Sequence, residues 1–136
     1  MPGKSNFLEI EILDHLLGNA AYTSPATVWI ALYTTTPSDD GGGTEVVVSG
    51  AYARVAVVNN TTNWPVASSA SITKYNAVSI GFVQATASWG TVSGFAILDA
   101  SAAGNILYFG TLSTARAIEI GDTAQFASRD IVISEE

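Results

Sequence analysis

The chain has no cysteine and a single histidine. The missing thiols exclude disulfides, thiolate metal sites and cysteine nucleophiles, and they leave the redox compartment undetermined. Charge is also scarce: 12% of the residues are charged, compared with about 25% in an average soluble domain. Ser, Thr, Asn and Gly must therefore cover much of the surface, and a surface so poor in charge tends to adhere to other surfaces. No apolar run approaches the roughly 18 residues that cross a bilayer, so any membrane role would be peripheral.

Positive charge is the scarcer sign. Five basic residues stand against twelve acidic ones, which gives a formal charge of −7 and a pI of about 4.4. The basic residues are spread along the chain at Lys4, Arg54, Lys74, Arg116 and Arg129. Nucleic-acid binding needs a patch of Lys and Arg that releases counterions from phosphates. We therefore expect no nucleic-acid partner and no docking on an anionic membrane.

The length of 136 residues fits one domain, because two domains would each be too small to bury a stable core. Near the N-terminus, Glu9, Glu11 and Asp14 interrupt an apolar stretch. A secretory signal peptide would be uniformly apolar there, so we expect the chain to be made in a cytoplasm.

One helix is predicted, at Phe7–Leu17. Asn6 and Glu9 are spaced as a capping box, and Gly18 is a typical left-handed stop. Six apolar side chains share one broad face, which we expect to be buried: Leu8, Ile10, Ile12, Leu13, Leu16 and Leu17. On this interpretation, shortening a leucine of that face would destabilise the fold. Phe7 is the exception, since it lies on the polar side of the helix.

After Gly18 the sequence changes to short β-branched and aromatic runs separated by Gly, Asn, Asp and Pro, the pattern of an antiparallel β-sandwich or barrel. Strands are expected at Thr27–Thr35, Glu45–Val48, Tyr52–Val58, Ala70–Thr73, Ala77–Val83, Thr91–Asp99, Ile106–Leu112, Ala117–Ile120, Thr123–Ala127 and Asp130–Ser134. Val28–Tyr33 is apolar throughout, which predicts a central strand covered on both faces or lying at an interface. Asp99–Asn105 is predicted to be a hairpin tip. The expected fold is mainly β, a jelly-roll-like sandwich over residues 1–136 with the helix at its N-terminus.

Residues with catalytic potential are few. His15 is the sole histidine and lies on the polar helix face, where a solvated side chain is the simpler interpretation. The serines have neither a second histidine nor a Gly-x-Ser-x-Gly turn to activate them. We therefore expect no enzymatic activity, no cofactor and no metal.

Two loops contain candidate binding residues. Asp39 and Asp40 precede three glycines and could offer oxygen ligands to calcium, but the loop lacks the alternating ligands of a calcium loop, which favours a plain flexible turn. Trp64, in the loop Asn59–Pro65, either stacks on a sugar or partner, or folds back over one end of the sandwich.

Several stretches together resemble a known family: Ser5–Gly18, Pro25–Pro37, Gly50–Arg54, Trp89–Asp99, Gly104–Gly110 and Gly121–Thr123. They are similar to small proteins encoded in tailed-phage structural modules, often labelled tail-fibre-like and in some phages acting as capsid decoration or cement proteins. The motifs are turns and strands and contain no reaction chemistry. The resemblance therefore implies a virion structural protein made in the host cytoplasm.

Within that family we expect a capsid decoration protein, a homotrimer that binds the major capsid protein on the outer surface of the virion. An acidic chain suits a position away from packaged DNA. The alternative is a tail-fibre or baseplate component that binds a host-surface glycan through Trp64. The residues expected to contact partners are Phe7, Trp64, Asp39 and Asp40, and the arm Met1–Lys4 is expected to become ordered on binding.

Overall fold

The computed structural model describes residues 3–135, which form one helix and ten strands. The helix α1 spans Asn6–Leu17. The strands, in chain order, are β1 Gly3–Lys4, β2 Thr27–Thr35, β3 Thr44–Glu45, β4 Val55–Val58, β5 Thr73–Tyr75, β6 Ile80–Gly81, β7 Gly90–Leu98, β8 Ile106–Ile118, β9 Gln125–Phe126 and β10 Val132–Ser134. Within the described range, no helix has the length and apolar character needed to cross a bilayer.

The main sheet has the strand order β1-β8-β7-β2-β3, and β4 pairs with the same edge of β2 as β3 does. All the pairings are antiparallel. Along β2, Ile30 and Leu32 pack into the main core, while Ala31 and Tyr33 belong to a small second cluster. Successive side chains of a strand point to opposite faces, so β2 is covered on both. Its predicted central position is confirmed, with the expected boundaries.

A second, thinner layer consists of two short ladders, β5 with β10 and β6 with β9. Aromatic side chains join this layer to the main sheet. The rings of Phe95 in β7 and Phe126 in β9 meet edge to face with centroids 5.7 Å apart, and those of Phe82, just after β6, and Trp89, just before β7, meet edge to face at 6.5 Å. Such pairs stabilise a core beyond the area they bury. The prediction of a mainly β, antiparallel fold is confirmed, and the two layers are arranged like a sandwich.

The strands outside the centre differ most from expectation. β8 runs unbroken from Ile106 to Ile118, where the sequence predicted two strands, because an irregularity between Thr111 and Arg116 lets pairing with β7 resume. The run predicted as strand Ala77–Val83 pairs only at Ile80–Gly81. β-branched composition favours extended backbone, but it does not provide a neighbouring strand.

The helix begins one residue earlier than predicted because Ser5, and not Asn6, is its N-cap. The Ser5 hydroxyl accepts a hydrogen bond from the Leu8 N–H at 3.2 Å and donates one to the Ile106 carbonyl. It therefore caps α1 and fixes the helix to β8. At the other end the left-handed residue is Asn19, with φ of 55°, and not Gly18.

The expectation that the whole apolar face of α1 is buried is wrong. Leu8 is 5% exposed and Ile12 packs partly against the main core, but Leu13 is 58% exposed and Leu17 86%. Only the side of the helix that meets β8 and the core is covered. The expected destabilisation on shortening Leu13 or Leu16 does not follow from this packing.

The N-terminal segment is held more firmly than an arm that awaits a partner. Gly3 and Lys4 form β1 opposite Phe109 and Tyr108, and the Lys4 ammonium lies 2.7 Å from the Glu135 carboxylate. Met1 and Pro2 lie outside the described residues. The expectation that Lys4 becomes ordered only on binding is therefore wrong.

Candidate functional site

An apolar stripe lies on the side of α1 that faces away from the core. At about 100° per residue, Ile10, Leu13 and Leu17 fall within a narrow arc opposite Leu8 and Ile12, while Leu16 lies closer to Ile12, on the far side of Glu9. We call Ile10, Leu13 and Leu17 the outer stripe; all three are more than half exposed. The helix is thus apolar on two sides, and its own chain covers only one. Apolar side chains grouped on an exposed helix face generally mark an interface, so this pattern is typical of a helix that packs between its own core and another surface.

Acidic groups border the outer stripe. Glu9 lies on one flank and Asp14 on the other, and both are exposed. Asn6 lies in line with the stripe at its N-terminal end, and its N–H donates to the Asp39 carbonyl at 2.7 Å. This hydrogen bond brings the acidic loop against the start of the stripe. The border is therefore negative along both sides and at one end.

Three of the four predicted partner residues are brought together here. Phe7 is in the first turn of α1, and the loop containing Asp39 and Asp40 abuts that turn through Asn6. Phe7 is half-buried and packs against the main core of its own chain, although it lies on the polar side of the helix. Asp39 and Asp40 are exposed. Contact of these three residues with a partner stays a prediction.

The loop around Asp40 is a hydrogen-bonded turn. The Asp40 carboxylate accepts hydrogen bonds from the Ser38 hydroxyl and from the Gly42 N–H at 3.2 Å, and these lower the pKa of Asp40. Gly43 has φ of 97°, and a side chain there would meet the Thr35 carbonyl at 2.7 Å. Among residues 3–135, no group of three metal-binding side chains is assembled.

Trp64, the fourth predicted residue, lies apart from the outer stripe and belongs to the main core. It is 8% exposed, and its buried indole Nε1 has no hydrogen-bond partner among residues 3–135. The Lys74 ammonium donates to the carbonyls of Trp64 and Pro65 at 3.1 and 2.9 Å, which holds the loop against the domain. Of the two positions left open by the sequence, the folded-back one is observed.

Trp64 nevertheless lines a pocket of about 480 Å³ between α1 and the loop of residues 59–64. Tyr22 and Tyr108 add two more aromatic rings, and Asn60 is one of the polar side chains in the lining. Both tyrosine hydroxyls are neutral donors at ordinary pH, and burial raises their pKa further above the ordinary value of 10.0. Aromatic faces with a few polar groups suit a sugar ring or a partner's aromatic side chain.

A buried ion pair was missed by sequence reasoning. The Arg54 guanidinium donates to both carboxylate oxygens of Glu45 at 2.8 Å, and the Arg54 side chain is only 8% exposed. The Tyr52 hydroxyl donates to Glu45 at 2.8 Å and accepts from the Leu32 N–H at 3.1 Å. Leu32 lies in β2 between the residues that pair with β4 and those that pair with β3, so Tyr52 satisfies an N–H that neither strand reaches.

The same arginine holds the predicted hairpin tip. Arg54 donates to the carbonyls of Ala100 and Ala103 at 2.7 and 2.9 Å. Burial alone would raise the pKa of Glu45, but the hydrogen bonds from Arg54 and Tyr52 outweigh it and hold that pKa below its usual range. The available sequence signal was one pair of opposite charges, nine residues apart, in a chain with few charges.

His15 does not face a cleft with other reactive groups. It is exposed, and its Nδ1 lies 3.0 Å from the Ala20 carbonyl and 3.4 Å from the Tyr22 N–H. Nδ1 donates to the Ala20 carbonyl in one tautomer and accepts from the Tyr22 N–H in the other, and either hydrogen bond fastens the chain just after α1 to the last turn of the helix. The ring therefore has a structural role at the end of α1.

Fold and surface together define a small antiparallel β-sandwich domain with an apolar, acid-bordered helix face left uncovered. A model of the family described as Podophage GP4 fiber I protein gp80 matches residues 3–134. The chain belongs to this family of phage fibre proteins and is a virion structural component, as the resemblance implied. A search of curated proteins finds no match.

Proposed function

We propose that this virion protein is a non-catalytic attachment subunit that packs its outer stripe against a neighbouring protein on the exterior of the particle. The uncovered stripe on α1 is the observation that supports the proposal, since large apolar side chains grouped on one exposed helix face generally mark an interface. Each contact is small. Many equivalent copies on one particle add up such contacts, so the assembly gains stability through multivalency.

The position on the virion has two candidates. The family description, a fibre protein, favours a fibre subunit. Capsid decoration, with the major capsid protein as partner, is favoured by the compact acidic domain, which suits an outer surface away from packaged DNA. We also propose that the chain associates with itself as a trimer. This association is supported by exposed apolar side chains away from α1, such as Val47 and Val48.

Fractionation of virions tests the position. Disrupted particles are separated into heads and tails on a gradient, and the chain is quantified in each by mass spectrometry with a head protein as marker. We expect the chain in the tail fraction if it is a fibre subunit and in the head fraction if it decorates the capsid. Its absence from both would contradict the proposal. Light scattering of the purified protein should return about three times 14.1 kDa if it is a trimer.

Host-glycan binding is a second candidate function, favoured by the aromatic pocket. Trp64→Ala would remove a core side chain and confuse binding with unfolding, so Trp64→Phe is the sharper variant. Trp29→Phe, in half-buried Trp29 of β2, is the matched control. We expect Trp64→Phe alone to lose signal on a glycan array. Equal signals from both variants, or no signal from the wild type, would contradict glycan binding in this pocket.

A further inference from the structure

The geometry points to the chemistry of the partner: we propose that the outer stripe docks into an apolar groove on another virion protein, and that lysine and arginine side chains line the rim of that groove. This inference rests on the proposed function, and it adds which surface binds and what kind of surface receives it. It concerns a protein partner other than a second copy of this chain.

The spacing of the stripe fits a groove. Ile10, Leu13 and Leu17 are separated by three and four residues, so their side chains form one ridge along the helix. A helix that binds in a groove presents anchors at this spacing. Leu8 and Ile12 on the opposite side already pack against the main core, and Ser5 ties the first turn to β8. The ridge is therefore held rigid before binding, which reduces the entropy lost on docking.

Charge decides between a second copy and a different partner. The carboxylates on α1 are Glu9, Glu11 and Asp14, and the helix has no lysine or arginine. Glu9 and Asp14 flank the stripe, so symmetric pairing of two or three copies along it would bring these two acidic residues close to their copies, and like charges that face each other across a helix seam oppose association.

A basic rim on the partner's groove would instead face carboxylates on both flanks of the ridge and at its N-terminal end. Glu9 and Asp14 flank the ridge, and the loop with Asp39 and Asp40 lies at its N-terminal end. Rim charges of this kind steer encounter and select the partner, and their effect falls as salt screens them. Docking should therefore weaken with rising salt, whereas a purely apolar contact would not.

The test is incorporation during phage growth. Phage lacking the gene are propagated in cells that express the full-length chain or a variant, and copies per virion are counted by mass spectrometry after washes at low and high salt. The double variant Leu13→Gln/Leu17→Gln removes two of the three apolar side chains of the ridge. Glutamine is a good helix former and uncharged, so the helix and the net charge are kept. Val66→Gln/Val83→Gln is the matched control, because both valines are also more than half exposed and lie outside α1. Circular dichroism melts establish that each variant folds.

We expect the ridge variant to lose about tenfold or more in copies per virion and the control to match the wild type. Glu9→Gln/Asp14→Asn, which keeps the ridge, should be released at lower salt than the wild type. Undiminished incorporation of the ridge variant, or equal loss in the ridge variant and its control, would overturn the inference. So would a ridge variant that turns from oligomer to monomer, since the stripe would then serve self-association.

The same experiment distinguishes failure of the proposed function from failure of the docking inference. If the wild-type chain is absent from virions grown by complementation, the proposed function is wrong. If the wild type is present and the ridge variant is present equally, only the docking inference is wrong. Recovery in heads or in tails distinguishes the two positions and leaves the inference about the stripe unaffected.

Discussion

Replacing Glu45 by glutamine will lower the free energy of unfolding by about 3 kcal/mol, the lower end of the range for breaking a buried ion pair. The lower end applies because the Glu45 side chain keeps 23% exposure while that of Arg54 keeps 8%. The variant leaves the guanidinium buried without a counter-charge, and it weakens the acceptor that holds the Tyr52 hydroxyl. Urea unfolding followed by circular dichroism measures the change.

Glu119→Gln is the matched control, since Glu119 is exposed, and it should change stability by less than about 0.5 kcal/mol. Arg54→Met added to Glu45→Gln should recover part of the loss, because no unpaired charge then stays buried. A loss below about 1 kcal/mol in the single variant would show that the pair is not desolvated as described.

The same pair makes stability depend on pH in a defined direction. The pKa of Glu45 is lowered on folding from its ordinary 4.5, so its contribution is fully present above pH 4.5. It is lost as the pH falls through the lower pKa of the folded state. The stability gap between the wild type and Glu45→Gln should therefore be constant at neutral pH and shrink below pH 4.5. A gap that grows on acidification would contradict the assignment.

Leu8→Ala will destabilise the isolated protein by about 2–5 kcal/mol, because it opens a cavity where α1 meets the main core. Leu13→Ala makes the identical change five residues on and should alter the free energy of unfolding by less than about 0.5 kcal/mol, because Leu13 is exposed. Thermal or urea melts of the two variants compare the two sides of one helix. Equal losses would mean that the outer stripe is covered within the chain, which would remove the basis for docking.

The centre of the fold was predictable, and its periphery was not. Thr27–Thr35 is long, apolar and β-branched, and it forms a strand with the predicted boundaries because neighbours cover both of its edges and faces. Short segments carry too little local information. Glu45–Val48 reads as a strand, yet only Thr44–Glu45 pairs with β2, and Val47 and Val48 are exposed. Pairing partners lie far along the chain, and a propensity cannot locate them.

The candidate site was half-predictable for a similar reason. Periodicity identified the apolar side chains of α1 correctly, but it could not tell which of them the chain's own core would cover. Ile12 packs inward and Leu13 outward, although both lay on the same predicted face. Likewise, nothing local distinguishes Glu45 and Arg54 from solvated charges. Their pairing depends on β2, β3 and the hairpin tip meeting in three dimensions.

Electron cryomicroscopy of the intact virion, with density assigned to this chain, tests the central claim most directly. The account predicts that Ile10, Leu13 and Leu17 lie against an apolar groove of a neighbouring virion protein, with that protein's lysine or arginine side chains beside Glu9 and Asp14. A reconstruction in which α1 faces solvent, and the chain is held to the particle by other surfaces, would contradict it.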